Sequence, residues 1–375
     1  MLNIAKIFVE TKKVLPWLVS DLLRMLQRAK LPEFRAVVMP DFFIDRFVTY
    51  RSDMKRFSTA LAAVTKRKGG NIHGVTQMEL RGGNAANTAA ALASLGVKVS
   101  PIITTDALGL HLLKFYLKPL GVDFSCVKSD GKVGLTTAIE IAEKEGRVNI
   151  MMGDLGSLPD FGPGKLVDKD YAAMREADYV GVFNWAATSR FGTDLADTVF
   201  RYVKEKGKAK TYFDSGDPTP NKDNLTKLLR NVVQTPLLDI LSVNENEALQ
   251  YASHLDKKAE QLPSRLDNFG VAKECARVLA KHLNGRVDLH TAAFAGSFTK
   301  NNEVIVPTFS VDGLRSTGAG DAWNAGNIFG DALRLPDSCR LTLANAVAAY
   351  YVSSPLAEHP TLSRLIEFCQ LRTRD

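Results

Sequence analysis

The sequence predicts an α/β fold with a mostly parallel sheet covered by helices on both faces. Two observations carry this. From Ala177 onward, short apolar runs alternate with amphipathic helical stretches, the pattern of strand–helix–strand crossovers. In addition, 45% of the 375 residues are hydrophobic. That supports a full core, in one large domain with insertions or in two modest ones.

Taken in order, Trp17 to Ala29 reads as a helix. Leu18, Leu22, Met25, Leu26 and Ala29 recur at helical spacing, and Pro16 suits its start. This helix precedes the first strand, so it is either packed on the domain surface or used as a partner contact. Phe34 to Met39 is a short apolar strand, and Phe42 to Tyr50 resumes β-like alternation. Thr88 to Leu95 is an Ala-rich helix ended by Gly96, followed by a strand from Val97 to Thr104. Val133 to Asn149 alternates as an antiparallel hairpin with a turn near Glu145-Gly146. Gly153 to Lys169 reads as a long loop, either functional or a surface excursion.

Strands are then expected at Tyr179 to Phe183, Lys210 to Phe213, Ile240 to Val243 and Val287 to Thr291. Helices are expected at Leu195 to Lys206, Asn246 to Ser253 and Val271 to Leu283. Val304 to Val311 reads as one more strand pair. Ala322 onward and Leu341 to Val352 are Ala-rich helices.

Composition narrows the function. The net charge of +7 is modest over this length, and no Lys/Arg-rich run marks a nucleic-acid patch. No apolar run approaches the ~18 residues of a membrane span. Cys126, Cys275, Cys339 and Cys369 are far apart and form no CxxC, and no HExxH occurs. A reduced, cytoplasmic setting without a Cys or His metal site is the expectation.

The most informative stretch is Ser316-Thr317-Gly318-Ala319-Gly320-Asp321-Ala322-Trp323-Asn324-Ala325-Gly326. Two glycines free the backbone to turn and bare its N–H groups, an acid follows, and a helix begins. Amides at a helix N-terminus bind anions. An acid there is poorly placed to hold phosphate and well placed to take a proton beside it. Phosphoryl transfer is the chemistry that needs both.

Common nucleotide fingerprints fail. Gly162-Pro163-Gly164-Lys165 is followed by Leu166 and has Pro159 where a P-loop needs its first glycine. Gly318-Ala319-Gly320 has Trp323 where a dinucleotide motif needs its last. A second glycine site, Arg81-Gly82-Gly83-Asn84-Ala85-Ala86-Asn87, lets the backbone approach a ligand closely. Asn84 and Asn87, at i and i+3, offer amides that both donate and accept, as sugar hydroxyls require. A plain Asn-capped helix is the alternative.

Together these segments resemble the ribokinase, or PfkB, family of carbohydrate kinases. Gly82 to Asn87 with Leu95-Gly96 is similar to the family's N-terminal signature, and Ser316 to Gly326 to its C-terminal signature. Asn244-Glu245-Asn246-Glu247 matches its Asn-x-x-Glu motif, and Ile44-Asp45 its sugar-binding Asp. The resemblance implies a ribokinase-like three-layer sandwich over residues 33–375 after an N-terminal helical extension, 1–32. It also implies a small β lid from segments near 42–60, 72–81 and 130–152, a surface through which such chains pair as homodimers.

The same resemblance implies roles. Asp321 is the general base, and the amides of Gly318, Ala319 and Gly320 form the anion hole. Asp45, Gly82, Gly83, Asn84 and Asn87 bind the acceptor. Asn244 and Glu247 hold Mg²⁺, and Asn244, Thr317 and Asn345 face the nucleotide. The implied reaction moves a phosphoryl group from ATP or ADP to a hydroxymethyl group of a sugar, nucleoside or sugar phosphate. Ribose-1-phosphate kinase-like activity with ADP is one alternative, and an inactive ligand-binding module on this fold is the other. Asp45 as a turn residue and Glu247 as a helix first-turn acid stay open.

Two departures matter. Arg315-Ser316-Thr317 replaces the family's Asp-Thr-Thr, which often helps bind a monovalent cation. The fixed charge puts that cation in doubt and makes Arg315 either a contact to an anionic group of the substrate or nucleotide, or a surface or structural ion-pair residue. With Arg81 it leans the reading toward an anionic acceptor. Thr291-Ala292-Ala293 replaces the usual Thr-x-Gly, which leaves the donor nucleotide open.

Overall fold

A computed structural model of the chain describes residues 2–28, 33–143, 146–264 and 266–372. In chain order, α1 (Leu2–Arg28) precedes β1 (Arg35–Met39), β2 (Phe43–Tyr50), α2 (Met54–Lys66) and β3 (Val75–Gly82). Next come α3 (Asn84–Ser94), β4 (Lys98–Pro101), α4 (Ala107–Leu117), β5 (Gly134–Glu143) and β6 (Gly146–Asp154). The crossovers follow as α5 (Asp168–Glu176), β7 (Tyr179–Phe183), α6 (Gly192–Lys206), β8 (Lys210–Asp214), α7 (Leu225–Leu228), β9 (Ile240–Val243) and α8 (Glu245–Leu255). The chain closes with α9 (Asn268–His282), β10 (Arg286–His290), β11 (Phe294–Phe298), β12 (Glu303–Pro307), α10 (Ala319–Ala332), α11 (Asp337–Ser353) and α12 (Leu362–Leu371).

Eight strands form the central sheet in the order β12-β11-β10-β9-β8-β7-β1-β4. The strands from β10 to β4 run parallel, while β11 pairs antiparallel with both β10 and β12. Parallel strands are covered on both faces, so they read as continuous apolar runs; β1, β7 and β9 are such runs, buried almost end to end. One apolar cluster joins the sheet to α6, α8 and α9, and a second joins its other face to α3, α10, α11 and α12. The result is the three-layer sandwich. A separate four-stranded sheet, β3-β2-β5-β6, leaves the core where β1 ends.

Several expectations change. The first helix begins at Leu2 and contains Pro16, rather than starting beside it; Ala29 lies outside the described residues. Val19 and Leu22 are fully buried, and α1 packs on α11, α12 and β12. The hairpin is present, although Glu145 of its turn lies outside the described residues, and β6 runs on to Asp154 into the expected loop. The rest of that loop is two short 3₁₀ turns leading to α5. Val304 to Val311 supplies one strand, not a pair; the partner of β12 is β11. Helices α2, α4, α5, α7 and α12 have no counterpart in the sequence reading. In α4, ALGLHLLKFYL is apolar nearly all round, so its period is weak.

Candidate active site

The strand order reverses between β1 and β7, because β1 leads to β4 on one side while β7 starts the series β8-β9-β10 on the other. Ligands in open α/β sheets bind outside the C-terminal strand ends at such a switch. Asp41 after β1, Asn184 after β7, Asp214 ending β8 and Asn244 after β9 all stand there. Asp41 accepts from the Asn84 and Ala85 amides at 2.9 and 2.8 Å and from Asn184 Nδ2 at 2.7 Å. A buried carboxylate with three donors anchors the α3 N-terminus to the switch point.

The two glycines before α3 are required by close approach. A Cβ on Gly82 would fall 2.3 Å from the Asp45 carboxylate. Gly83 adopts φ +91°, and a Cβ there would meet the Asp41 carbonyl oxygen at 3.0 Å. Gly82 thus lies directly under Asp45, which faces Thr136 across the β2–β5 ladder. Burial pushes the Asp45 carboxyl up to about 6, with the neighbouring Asp41 charge adding to it.

Asp321 sits in the first turn of α10 and is 6% exposed. Its Oδ2 accepts from Asn87 Nδ2 at 2.9 Å. Burial raises its pKa well above the carboxylate range, with Asp214, Asp41 and Asp45 adding to the shift against the Asn87 hydrogen bond. Gly318 takes the left-handed conformation at φ +82°, and the helix has no side-chain cap. The first-turn N–H groups of α10 are thus left without a side-chain acceptor. The Ala319 N–H differs from expectation, because it donates to the Ser316 carbonyl at 3.1 Å inside the turn.

Asn244 and Glu247 form a capping box on α8. The Asn244 backbone N–H donates to Glu247 Oε2 at 2.9 Å, Asn244 Nδ2 donates to Oε1 at 2.7 Å, and the Glu247 N–H donates to Asn244 Oδ1 at 3.0 Å. Glu247 is buried, and its pKa is raised well above normal by burial and by the charges of Asp214, Asp217 and Glu245.

A cavity of about 690 Å³ joins these parts, lined by Asp45, Gly83, Asn84, Asn87, Asn184, Asp214, Asp217, Asn244, Glu247, Thr317, Gly318, Gly320 and Asp321, with Phe43, Met151 and Leu155 as its apolar wall. Five carboxylates and no Lys or Arg line it. Such a surplus of negative charge fits a divalent cation. Among the described residues no three His, Cys, Asp or Glu side chains converge on a metal site by themselves.

A second cavity of about 680 Å³ lies across the glycine turn, lined among others by Asn244, His290, Thr291, Arg315, Ala319, Gly320, Trp323 and Asn345. The two cavities share Asn244 and Gly320. Several of the assigned residues lie elsewhere than expected. Arg315 borders this second cavity, not the one holding Asp45, and its guanidinium donates to the Ser354 carbonyl and, at 2.8 Å, to that of Pro355. Thr317 lines the first cavity rather than the second. Asn345 accepts from Trp323 Nε1 at 2.9 Å and donates to the Pro307 carbonyl at 3.0 Å, so its amide ties α10 to β12. Gly82 does not line the first cavity but underlies Asp45.

Asp41, Asn184, Asp214 and His290 were missed. Asp214 accepts from Asn324 Nδ2 at 2.6 Å. His290 rests on Trp323, ring centroids 4.9 Å apart, with Nε2 buried and unpartnered. An acid at the C-terminal end of an apolar strand was the available signal for Asp41 and Asp214.

Residues 56–364 match the family model described as pfkB family carbohydrate kinase. The chain is 29% identical over 255 residues to the ATP-dependent ribose-1-phosphate kinase of Halopiger xanaduensis, covering 68% of this chain and 74% of that protein. Among solved structures, Arabidopsis thaliana ribokinase complexed with ribose and ATP superposes with a TM-score of 0.66 at 18% identity, over 90% of this chain and 99% of the other. Adenosine kinase from Sinorhizobium meliloti gives 0.68 at 16%, over 91% and 99%. These structures share the fold.

Proposed function

The chain belongs to the pfkB family of carbohydrate kinases, and from that premise we propose that it transfers the terminal phosphoryl group of ATP or ADP to a hydroxymethyl group of a sugar-like acceptor. One observation carries the reading: Asp321 lines the first cavity and directly follows Gly320, which lines both. The first cavity takes the acceptor, and the second takes the nucleotide.

In this reading, Asp45, Asn84 and the Gly83 backbone hold the acceptor hydroxyls. Asp321 receives the hydroxymethyl proton as the phosphoryl group arrives, which suits a buried carboxyl of raised proton affinity. The uncapped start of α10 faces the charge on the phosphoryl oxygens. Glu247 and Asn244 would hold Mg²⁺, exchanging their mutual hydrogen bonds for it and its waters. When bound, Mg²⁺ supplies neutralisation of the donor phosphates.

The acceptor cavity favours a neutral sugar or nucleoside. The lean toward an anionic acceptor rested on Arg315 and Arg81. Arg315 is spent on two carbonyls, and Arg81 donates to Asn87. A phosphorylated acceptor remains the second reading, favoured by the similarity to a ribose-1-phosphate kinase.

Exposed Met78, Leu135, Ile150, Met151 and Met152 on the small sheet support pairing of two lids in a homodimer. No helix among the described residues is long and apolar enough to cross a membrane. The four cysteines are free and buried, which favours the cytoplasm.

The test is a coupled phosphotransfer screen of sugars, nucleosides and ribose phosphates with ATP and ADP. Asp321→Asn should lose about 10²–10⁴-fold in kcat. Equal activity in wild type and variant on every acceptor would sink the kinase reading and leave a binding module.

A further inference from the structure

The hydrogen-bond chain that ends on Asp321 is polarised from one end, because a guanidinium has donors and no acceptor. Arg81, near the end of β3, donates through Nε to Asn87 Oδ1 at 3.0 Å. Its Nη2 lies 2.9 Å from His359 Nε2. That nitrogen must therefore accept, and the ring is neutral with its proton on Nδ1. Burial, and then the Arg81 charge, holds the His359 pKa well below its ordinary value, in agreement.

Asn87 has committed its oxygen to Arg81, so its nitrogen faces α10 and donates to Asp321 Oδ2 at 2.9 Å. The reversed amide would set an acceptor oxygen against the carboxylate. The sequence alone offered Asn87 as a sugar contact and Arg81 as an anion contact. In the structure they are consecutive links that join β3, α3, α10 and the segment before α12.

We infer that Arg81 is a positioning residue for phosphoryl transfer. It fixes the orientation of Asn87, which holds Asp321 as an ionised acceptor through Oδ2 and leaves Oδ1 for the incoming hydroxyl. The inference rests on Asp321 being the base. Around Asp321, the charges of Asp214, Asp41 and Asp45 oppose ionisation, while Arg81 on β3 favours it. His359, stacked on Tyr351 at 4.7 Å, holds the far side of the guanidinium. No step requires Arg81 to touch either substrate.

The experiment uses the full chain with ATP and the best acceptor among ribose, adenosine and ribose 1-phosphate. Arg81→Met should lower kcat by about 10–100-fold, with both KM values within about threefold of wild type. The acid limb of the kcat/KM profile should move to higher pH, because the base loses the donor that favours its charge. Arg81→Lys, which keeps the charge and one donor, should recover part of kcat. His359→Phe keeps a ring on Tyr351 but removes the acceptor, and should cost about 2–10-fold in kcat.

A rise in acceptor KM with unchanged kcat in Arg81→Met would overturn the inference and make Arg81 a substrate contact. So would equal kcat losses in Arg81→Met and Arg81→Lys that follow lowered melting temperature. If Arg81→Met does not fold, unchanged kcat in both Arg81→Lys and His359→Phe overturns it. If the wild type phosphorylates none of the three acceptors with ATP, the proposed reaction on those acceptors fails instead. The positioning is then read by infrared difference spectra against Asp321→Asn over a pH series. A higher pH for conversion of the Asp321 carboxylate band to the protonated one in Arg81→Met supports it, and an unchanged midpoint overturns it.

Discussion

Replacing Gly82 with Ala tests whether Asp45 holds the acceptor. The new Cβ would lie 2.3 Å from the Asp45 carboxylate, whereas ordinary contact begins at 3.4 Å. The carboxylate must therefore retreat by 3.4 − 2.3 = 1.1 Å. Gly82 is not in the left-handed region, so the substitution carries no backbone strain, and the three atoms nearest the new Cβ all belong to Asp45. A 1 Å retreat removes a charge-assisted hydrogen bond to the acceptor, worth about 1.5–3 kcal/mol. That is about 10–150-fold in kcat/KM.

The assay is steady-state phosphotransfer in a double-mutant cycle of Gly82→Ala with Asp45→Ala. In the Asp45→Ala background there is no carboxylate to displace, and Gly82→Ala should be nearly silent. The reasoning fails if Gly82→Ala costs the same in both backgrounds, or costs nothing in the wild type.

Two further outcomes follow from burial. Asp45 titrates near 6 rather than 3.8, so the folded state holds its proton more tightly than the unfolded chain. Stability should fall as pH rises through that window, and Asp45→Asn should be more stable than wild type at pH 7 by about 2–3 kcal/mol, with the gap closing below about pH 4. Urea titrations at several pH values check this, and a gap that widens on acidification refutes it. Arg340 is 1% exposed and binds Asp288, Asp337 and Ser297. Arg340→Met should cost about 3 kcal/mol by urea denaturation, because Asp288 keeps only Arg286 as a cationic partner.

Much of the fold was legible in the sequence because parallel strands bury both faces. Val37-Val38 in β1 and Val180 to Phe183 in β7 could only be core, and their spacing left room for crossovers. The site was legible where chemistry is written locally, as in the glycine turn before Asp321 and the capping box from Asn244 to Glu247. It was illegible where partners are distant. Nothing near Arg315 announces that its guanidinium will meet carbonyls 39 and 40 residues later. Asp41 is bound by Asn184, 143 residues away, and Arg81 by His359 across 278. Buried polar atoms find partners through the fold, and sequence spacing does not report them.

Leu18 of α1 packs in a small cluster with Val304 and Val306 of β12 and with Trp323, a wall residue of the second cavity. Strand β12 is one of the two edges of the central sheet, and an open edge is a template on which other chains add. The helix packed on it is therefore expected to oppose self-association. Its loss would be felt first in the amount of protein that stays dispersed after synthesis, before any change in turnover.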